Sequence, residues 1–303
     1  MPSIKDLKKR ITSTKNTQQT TRAMKMVSAA KLRRAQEAIT HHRPFAKKIL
    51  GLIKEVSLLA DGSETSPLIY REHGGERKRL LLVLVTSDRG LCGGFNSSVI
   101  KTTQRWMAAN GAKYESITMG FVGRKAYEFF RTKGVKMGPY YQELGGKVTF
   151  AKARKLADGL KDLYLNDEFD EVKIVYNEFK NAVTQKVNVE DFLPLQAAPV
   201  EEAEAKAASS VGEEQKVYTV KPSVDEVLGQ LLQKNFGIQA FRIMLDSQAS
   251  EHGARMSAME NATKNAGEMI RKLTLQYNKQ RQAGITKELL EIISGSESQK
   301  SSA

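Results

Sequence analysis

Apolar positions along this chain follow different rhythms in different stretches, and the changes of rhythm divide it. From Ser3 to about Val56 the spacing is helical. Ile4, Leu7 and Ile11 form a stripe in steps of three and four that Met24, Val27 and Ala30 or Lys31 resume. No proline interrupts this segment before Pro44 and no glycine before Gly51. Ser3 followed by Asp6 has capping-box spacing, in which a side-chain oxygen answers the free amides of the first turn. Pro44 is expected to bend or split the helix, because it removes a hydrogen bond and crowds the preceding turn. A second helical stretch opens at Ser223 with Glu226 at the same spacing and runs without proline to Ser294. In it Met256, Met259, Thr263, Ala266, Ile270, Leu273 and Tyr277 alternate steps of three and four. That is a coiled-coil stripe, and it predicts Met256, Met259, Ala266, Ile270 and Leu273 in the core of a helix pair. Helices of these lengths would span roughly 80 Å and roughly 105 Å. Laying one against the other, antiparallel, is the economical way to cover both stripes, and the small Ala262 and Ala266 suit a close approach.

Between them, residues 77–195 alternate strand and helix patterns. Leu80–Thr86, Ser116–Val122, Val172–Tyr176 and Lys186–Phe192 read as strands, and Phe95–Ala109, Arg124–Lys133 and Phe150–Tyr164 as helices. The alternation predicts a small α/β sheet domain. The sequence thus falls into a helix over 1–56, this domain over 77–195, an acidic, Ala-rich surface loop over 196–216, a helix over 223–294 and a polar tail over 295–303.

Charge sharpens this picture once it is located. Residues 1–54 hold fourteen Lys/Arg against two Asp/Glu, a net of +12, whereas residues 223–293 hold nine against eight, a net of +1. A basic block of this kind fits nucleic acid, an anionic membrane or acidic protein surfaces. Residues 1–44 contain no aromatic side chain, which argues against base stacking. The longest aliphatic run, Leu80–Val85, has six residues, far short of the roughly 20 that cross a bilayer. The amino terminus has no signal-type apolar block, so the chain is expected to fold in a cytoplasm-like compartment. Cys92 is the sole cysteine, so no internal disulfide can form.

Candidate chemistry is sparse. The turn Ser87–Gly94 could cradle a phosphate at a helix start. It lacks both the Gly-Lys-Ser/Thr ending of a P-loop and G-x-G-x-x-G spacing, so a plain tight turn is the simpler reading. Cys92 has no histidine near it in sequence, and no cluster has metal-ligand spacing. No catalytic set, cofactor or metal is expected. The oddest stretch is Thr12–Arg22, with five threonines and no large aliphatic side chain inside an expected coiled coil. Such a segment would hardly persist as a lone helix in water, and a frayed linker is one reading. The other is a helix held by a partner helix and by surrounding proteins while offering them few grips.

The run TRAMKMVSAAKLRRAQ (Thr21–Gln36) resembles the amino-terminal helix of gamma chains of F-type ATP synthases. ARMSAMENATKNA (Ala254–Ala266) and LTLQYNKQRQAGITKELLEIISG (Leu273–Gly295) are similar to that family's other shaft helix, and TSDRGLCGGFN (Thr86–Asn96) to its strand-to-helix turn. The resemblance implies an antiparallel two-helix coiled coil of the terminal helices with a central Rossmann-like α/β domain. It further implies a non-catalytic rotor, turned by proton flow through a membrane c-ring inside a ring of alpha and beta subunits, with the epsilon subunit beside the domain. Nucleic acid and direct small-molecule substrates are not implied. Met24, Lys25 and Arg255 fall where family shafts meet the beta subunits, and Lys25, Lys31, Arg33 and Arg34 would form a basic collar facing acidic loops there. The implied location is peripheral, on the cytoplasmic face of a bacterial plasma (inner) membrane. Two departures stand out. The chain lacks the cysteine pair of the chloroplast version, and its ending SESQKSSA is polar where the family often has small apolar residues.

Overall fold

The computed structural model describes residues 3–57, 67–69, 78–142, 148–182, 184–195 and 223–301. The expected acidic loop over 196–216 lies outside them. The chain forms two compact units, Met1–Ala29 with Arg255–Ala303, and Ala30–Ala254. Helix α1 (Ile4–Ser57) and helix α5 (Val224–Ser301) each run through both. Pro44 sits inside α1 without splitting it. Helix α5 continues through the stretch read from sequence as a polar tail, because nothing between Ser294 and Ser301 stops it beyond the single Gly295. Both helices open on the expected caps. The Ser3 Oγ accepts from the Asp6 amide at 3.1 Å while the Ser3 amide donates to the Asp6 carboxylate at 3.2 Å, and the Ser223 Oγ accepts from the Glu226 amide at 3.2 Å.

In the first unit α1 and α5 pair antiparallel. Lys25 reaches Glu260, Thr21 meets Thr263, and Gly267 and Gly284 lie against Gln18 and Ile4. On α1 the sheltered positions are Leu7, Ile11, Thr14, Gln18, Thr21, Lys25 and Ser28, an unbroken alternation of four and three. This corrects the stripe expected from hydrophobicity. Ile4 and Val27 are exposed, and Ser28, one residue past Val27, is buried. The heptad phase set by Leu7 and Ile11 carries on through polar residues, because a straight helix cannot shift its buried face to follow scattered apolar side chains. On α5 Met259 and Ala266 are buried, and Met256, Thr263, Ile270, Leu273 and Tyr277 are half-buried at the matching spacing.

The second unit is built on a five-stranded sheet. Its strands are β1 (Lys78–Val85), β2 (Tyr114–Val122), β3 (Lys136–Tyr141), β4 (Glu171–Phe179) and β5 (Gln185–Leu193). The order is β3-β2-β1-β4-β5, with the first four parallel and β5 antiparallel at the edge. Helices α2 (Phe95–Asn110), α3 (Arg124–Phe130) and α4 (Phe150–Leu165) connect them. Strand β1 lies at the centre, buried from Leu80 to Val85, as its continuous aliphatic run requires. Leu80, Leu82 and Leu84 pack with Val99, Phe121 and Phe130. Strand β3 was not expected. Its sequence KMGPYY carries Gly138 and Pro139, which read as a break but are tolerated at a sheet edge. A side chain at Gly138 would come within 2.8 Å of the Thr118 methyl and 3.1 Å of the Met119 carbonyl oxygen.

At the start of β1 and β4, charges interlock. Arg79 binds Asp170 at 2.8 Å and Asp167 at 3.1 Å, while Lys78 and Lys173 flank Glu171 at 2.7 and 3.5 Å. Burial works against ionisation of Glu171, but the Lys78 hydrogen bond and the two lysine charges outweigh it and hold its pKa below the ordinary value. Helix α5 from Asn235 to Ser247 is buried almost all round, which fits the near-continuous apolar sequence FGIQAFRIML.

Candidate partner-contact site

The six residues expected to touch partners are divided between the two units. Met24, Lys25 and Arg255 belong to the first unit, and Lys31, Arg33 and Arg34 to the second. Met24 and Lys25 are half-buried beside the seam. The Lys25 Nζ donates to the Glu260 Oε1 at 2.7 Å, across the helix pair. With both partners partly solvated, that pair stabilises by about 1 kcal/mol or less. It fixes where the charges stand more than how tightly the helices hold. Arg255 is half-buried and engaged in polar contact. Lys31, Arg33 and Arg34 are exposed; Arg33 donates to Glu37 at 3.1 Å, one turn along. Met26 and Val27, next to Lys25, are 68% and 56% exposed. They place two neighbouring bulky apolar side chains on the surface, turned away from the seam.

A second such surface was missed in the sequence. Ile285, Leu289, Leu290, Ile292 and Ile293 are all exposed near the end of α5. The signal was the run LLEII, which places bulky aliphatics on more than one face of the helix, so a single partner helix cannot cover them all.

Between these patches the threonine stretch is fully helical. Thr12, Thr14, Thr17 and Thr20 each donate the hydroxyl to the carbonyl four residues back, at 3.1, 2.8, 3.1 and 3.0 Å. Their donors are spent inside the helix, and what the exposed Thr12, Thr17 and Thr20 turn outward is methyl and lone pair. At the seam the Thr263 hydroxyl lies 2.8 Å from that of Thr21, which donates to the Gln18 carbonyl at 3.0 Å. Beside the threonine stretch the seam thus includes small polar contacts as well as the large side chains of α5.

The glycine turn after β1 lies where doubly wound sheets bind nucleotides, at the carboxyl ends of β1 and β4. Here the turn is tied down by its own side chains. Ser87 and Asn96 bind one another, the Ser87 amide donating to the Asn96 Oδ1 at 3.0 Å and the Asn96 Nδ2 to the Ser87 Oγ at 2.8 Å. The Asn96 Nδ2 also lies 3.2 Å from the Cys92 Sγ. Cys92 and Phe95 pack on Ala254 of α5, and Asn177 of β4 donates to the Phe95 carbonyl at 3.1 Å. Asp88 spends an oxygen on the Arg124 amide at 3.1 Å, at the start of α3. The polar side chains of this turn are thus engaged with one another and with neighbouring backbone. Among the described residues, no three His, Cys, Asp or Glu stand together as metal ligands.

Comparison with known proteins gives a consistent picture. The family model described as ATP synthase matches residues 3–298. The ATP synthase gamma chain of Geotalea uraniireducens (strain Rf4) is 47% identical over 300 residues, covering 99% of this chain and 100% of that one. That of Bdellovibrio bacteriovorus is 44% identical over 301 residues, with the same coverage of each. Among solved structures, a chain from the central stalk and c-ring of the Tetrahymena thermophila mitochondrial ATP synthase superposes with a TM-score of 0.55 at 26% identity, covering 80% of this chain and 99% of that one. A chain from the OSCP, F1 and c-ring assembly of the Euglena gracilis mitochondrial enzyme, in rotational state 3, gives 0.62 at 19% identity, covering 96% and 92%; at that identity the likeness is one of fold.

Proposed function

Because this chain belongs to the gamma-chain family of ATP synthases, we propose that it is the central-stalk rotor that couples proton flow through a membrane c-ring to ATP synthesis. It turns inside a ring of alpha and beta subunits and carries no catalytic residue of its own. The chemistry belongs to the beta subunits, and the shaft decides which of them is open. The epsilon subunit and the c-ring bind the α/β domain. Among the described residues no helix is long and apolar enough to cross a membrane. The chain is held there peripherally, by its partners, on the cytoplasmic face of a bacterial plasma membrane.

The observation that carries this reading is the surface of the helix pair. Two apolar patches, Met26–Val27 and Ile285–Ile293, flank a stretch whose exposed threonines keep their donors to themselves. A shaft needs this combination: places where the housing grips and a length along which it slips. To drive rotation, each face of the shaft must favour one beta conformation over the others, since a ligand that binds all states equally shifts none. Moving a site from one conformation to the other nearly completely takes roughly 5.5 kcal/mol of differential contact. Lys25, Lys31, Arg33 and Arg34 supply part of that difference through charge pairs with acidic loops, and the contacts of Met24 and Arg255 and the exposed aliphatics supply the rest.

Reconstitution tests the proposal. Mixed with alpha and beta subunits of a bacterial relative, the chain is expected to enter at one copy per ring and to restore steady ATP turnover. A ring that forms and turns over identically without it would refute the assignment.

A further inference from the structure

How the α/β domain grips the shaft helix is visible within the second unit, and it is not by apolar packing alone. The β4–β5 hairpin lies along α5. Near one end Phe192 of β5 meets Phe236 of α5, with ring centroids 5.6 Å apart. Further along, the Ser250 hydroxyl donates to the Asn177 carbonyl at 3.1 Å, and Gly253 lies so close to Ala182, beyond β4, that a side chain there would stand 3.0 Å from its carbonyl oxygen. Between these contacts sits Arg242. Its guanidinium donates to the Glu190 carboxylate of β5, to the Tyr176 hydroxyl of β4 at 3.1 Å and to Gln239, one turn back on α5, at 2.9 Å. The Tyr176 hydroxyl in turn donates to the other Glu190 oxygen at 2.6 Å, closing a ring of bonds over two strands and a helix. Tyr176 is fully buried, and burial pushes its pKa far above the ordinary phenol value, so the hydroxyl stays a donor.

The physical distinction is between resisting separation and resisting sliding. Apolar burial is non-directional and roughly proportional to area, so a helix can shift along a greasy face at small cost while the area is conserved. A planar guanidinium with its donors fixed on three acceptors is directional, and a slide of about 1 Å breaks it. A cleft of about 570 Å³ lies beside the fork, lined in part by Leu50, Phe179 and Leu195.

We propose that Arg242 is the positioning residue through which the β4–β5 hairpin holds α5 in register under load, so that torque entering the α/β domain reaches the shaft at this fork. This rests on the rotor reading above. The test uses the complete membrane-bound enzyme containing Arg242→Met, which keeps the aliphatic bulk, Arg242→Lys, which keeps one donor, or Glu190→Gln. Two rates are read, ATP hydrolysis without a proton gradient and ATP-driven proton pumping against a steep one. With Arg242→Met, hydrolysis is expected to stay at the parent level while protons pumped per ATP under load fall by about threefold or more, since the charge-assisted bonds of the fork are lost. Arg242→Lys should fall between the two. Parent-level pumping by Arg242→Met would overturn the proposal. If that variant fails to fold, Glu190→Gln decides: reduced pumping supports the fork, and parent-level pumping overturns it. An unmodified chain that does not enter the ring would overturn the rotor reading and the fork's role with it, an outcome distinct from an assembled enzyme indifferent to Arg242.

Discussion

Gly123 is the position where a single methyl group should do most damage, and the structure gives the size of the effect. It joins β2 to α3 with φ of +88° and ψ of 155°, a region that residues with a side chain essentially do not occupy. Holding alanine there costs about 1–3 kcal/mol in backbone conformation alone. Its Cβ would also stand 2.0 Å from the Thr86 carbonyl oxygen, where no real contact is found below 3.0 Å. The backbones must part by an ångström or more. Two bonds depend on their closeness: the Thr86 amide to the Val122 carbonyl at 2.9 Å, and the Ala126 amide to the Thr86 hydroxyl at 3.1 Å. Losing both with Thr86 buried costs about 1–3 kcal/mol each, so Gly123→Ala is expected to destabilise the domain by about 4 kcal/mol or more. Two controls separate the contributions. Gly134 has φ of +67° but open space around it, so Gly134→Ala should cost about 1–2 kcal/mol. Gly90 has neither constraint, and Gly90→Ala should stay within about 0.5 kcal/mol. Urea unfolding followed by the fluorescence of Trp106, the only tryptophan, reads all three on the α/β domain. Equal midpoints for Gly123→Ala and Gly134→Ala would show that the β2–α3 joint gives way cheaply, and the reasoning would be wrong.

Three other perturbations follow from the same geometry. Met259→Glu places a carboxylate at a buried seam position, and is expected to lower the melting temperature and the yield of assembled ring; a full-strength variant would remove Met259 from the seam. Val27→Ser and Ser28→Val should separate stability from binding. The exposed Val27 can be replaced within about 0.5 kcal/mol in the isolated chain but at a loss of assembly, whereas valine at the buried Ser28 alters stability itself; the reverse pattern in melting curves would restore the stripe expected from hydrophobicity. Glu171 has a native pKa below its ordinary 4.5, so its contribution is complete above that pH and is lost as pH falls through the native value. Glu171→Gln should flatten that part of the acid slope of the urea midpoint between about pH 5 and about pH 3, and an unchanged slope would assign it to other carboxylates.

Most of the architecture could be read in the sequence where one force dominated. Leu80–Val85 is a central strand because six consecutive aliphatics suit a strand buried on both faces, and the Met256–Tyr277 stripe carries its period in large side chains. Reading failed where context outweighed composition. β3 pairs despite Gly138 and Pro139 because an edge strand can omit bonds, and the α1 seam runs through Thr14, Gln18, Thr21 and Ser28 because phase is set elsewhere along the helix. The candidate contacts were legible only as charge and resemblance. Nothing in the order of residues said that Met26 and Val27 would face outward while Ser28 turned in, or that the threonines would bind their own backbone. The Arg242 fork was invisible for a plainer reason: its partners lie 52 and 66 residues away.

The sheltered positions of α1 carry one more implication. From Leu7 through Ser28 to Leu32, Ala35, Ile39, His42, Ala46, Ile49, Ile53 and Val56, steps of four and three alternate without a stutter. Gaining or losing one residue anywhere along this helix would rotate everything beyond it by roughly 100°. The length of this segment is therefore quantised: related chains can lengthen or shorten it by whole heptads, while single insertions and deletions must collect in the loops of the sheet domain.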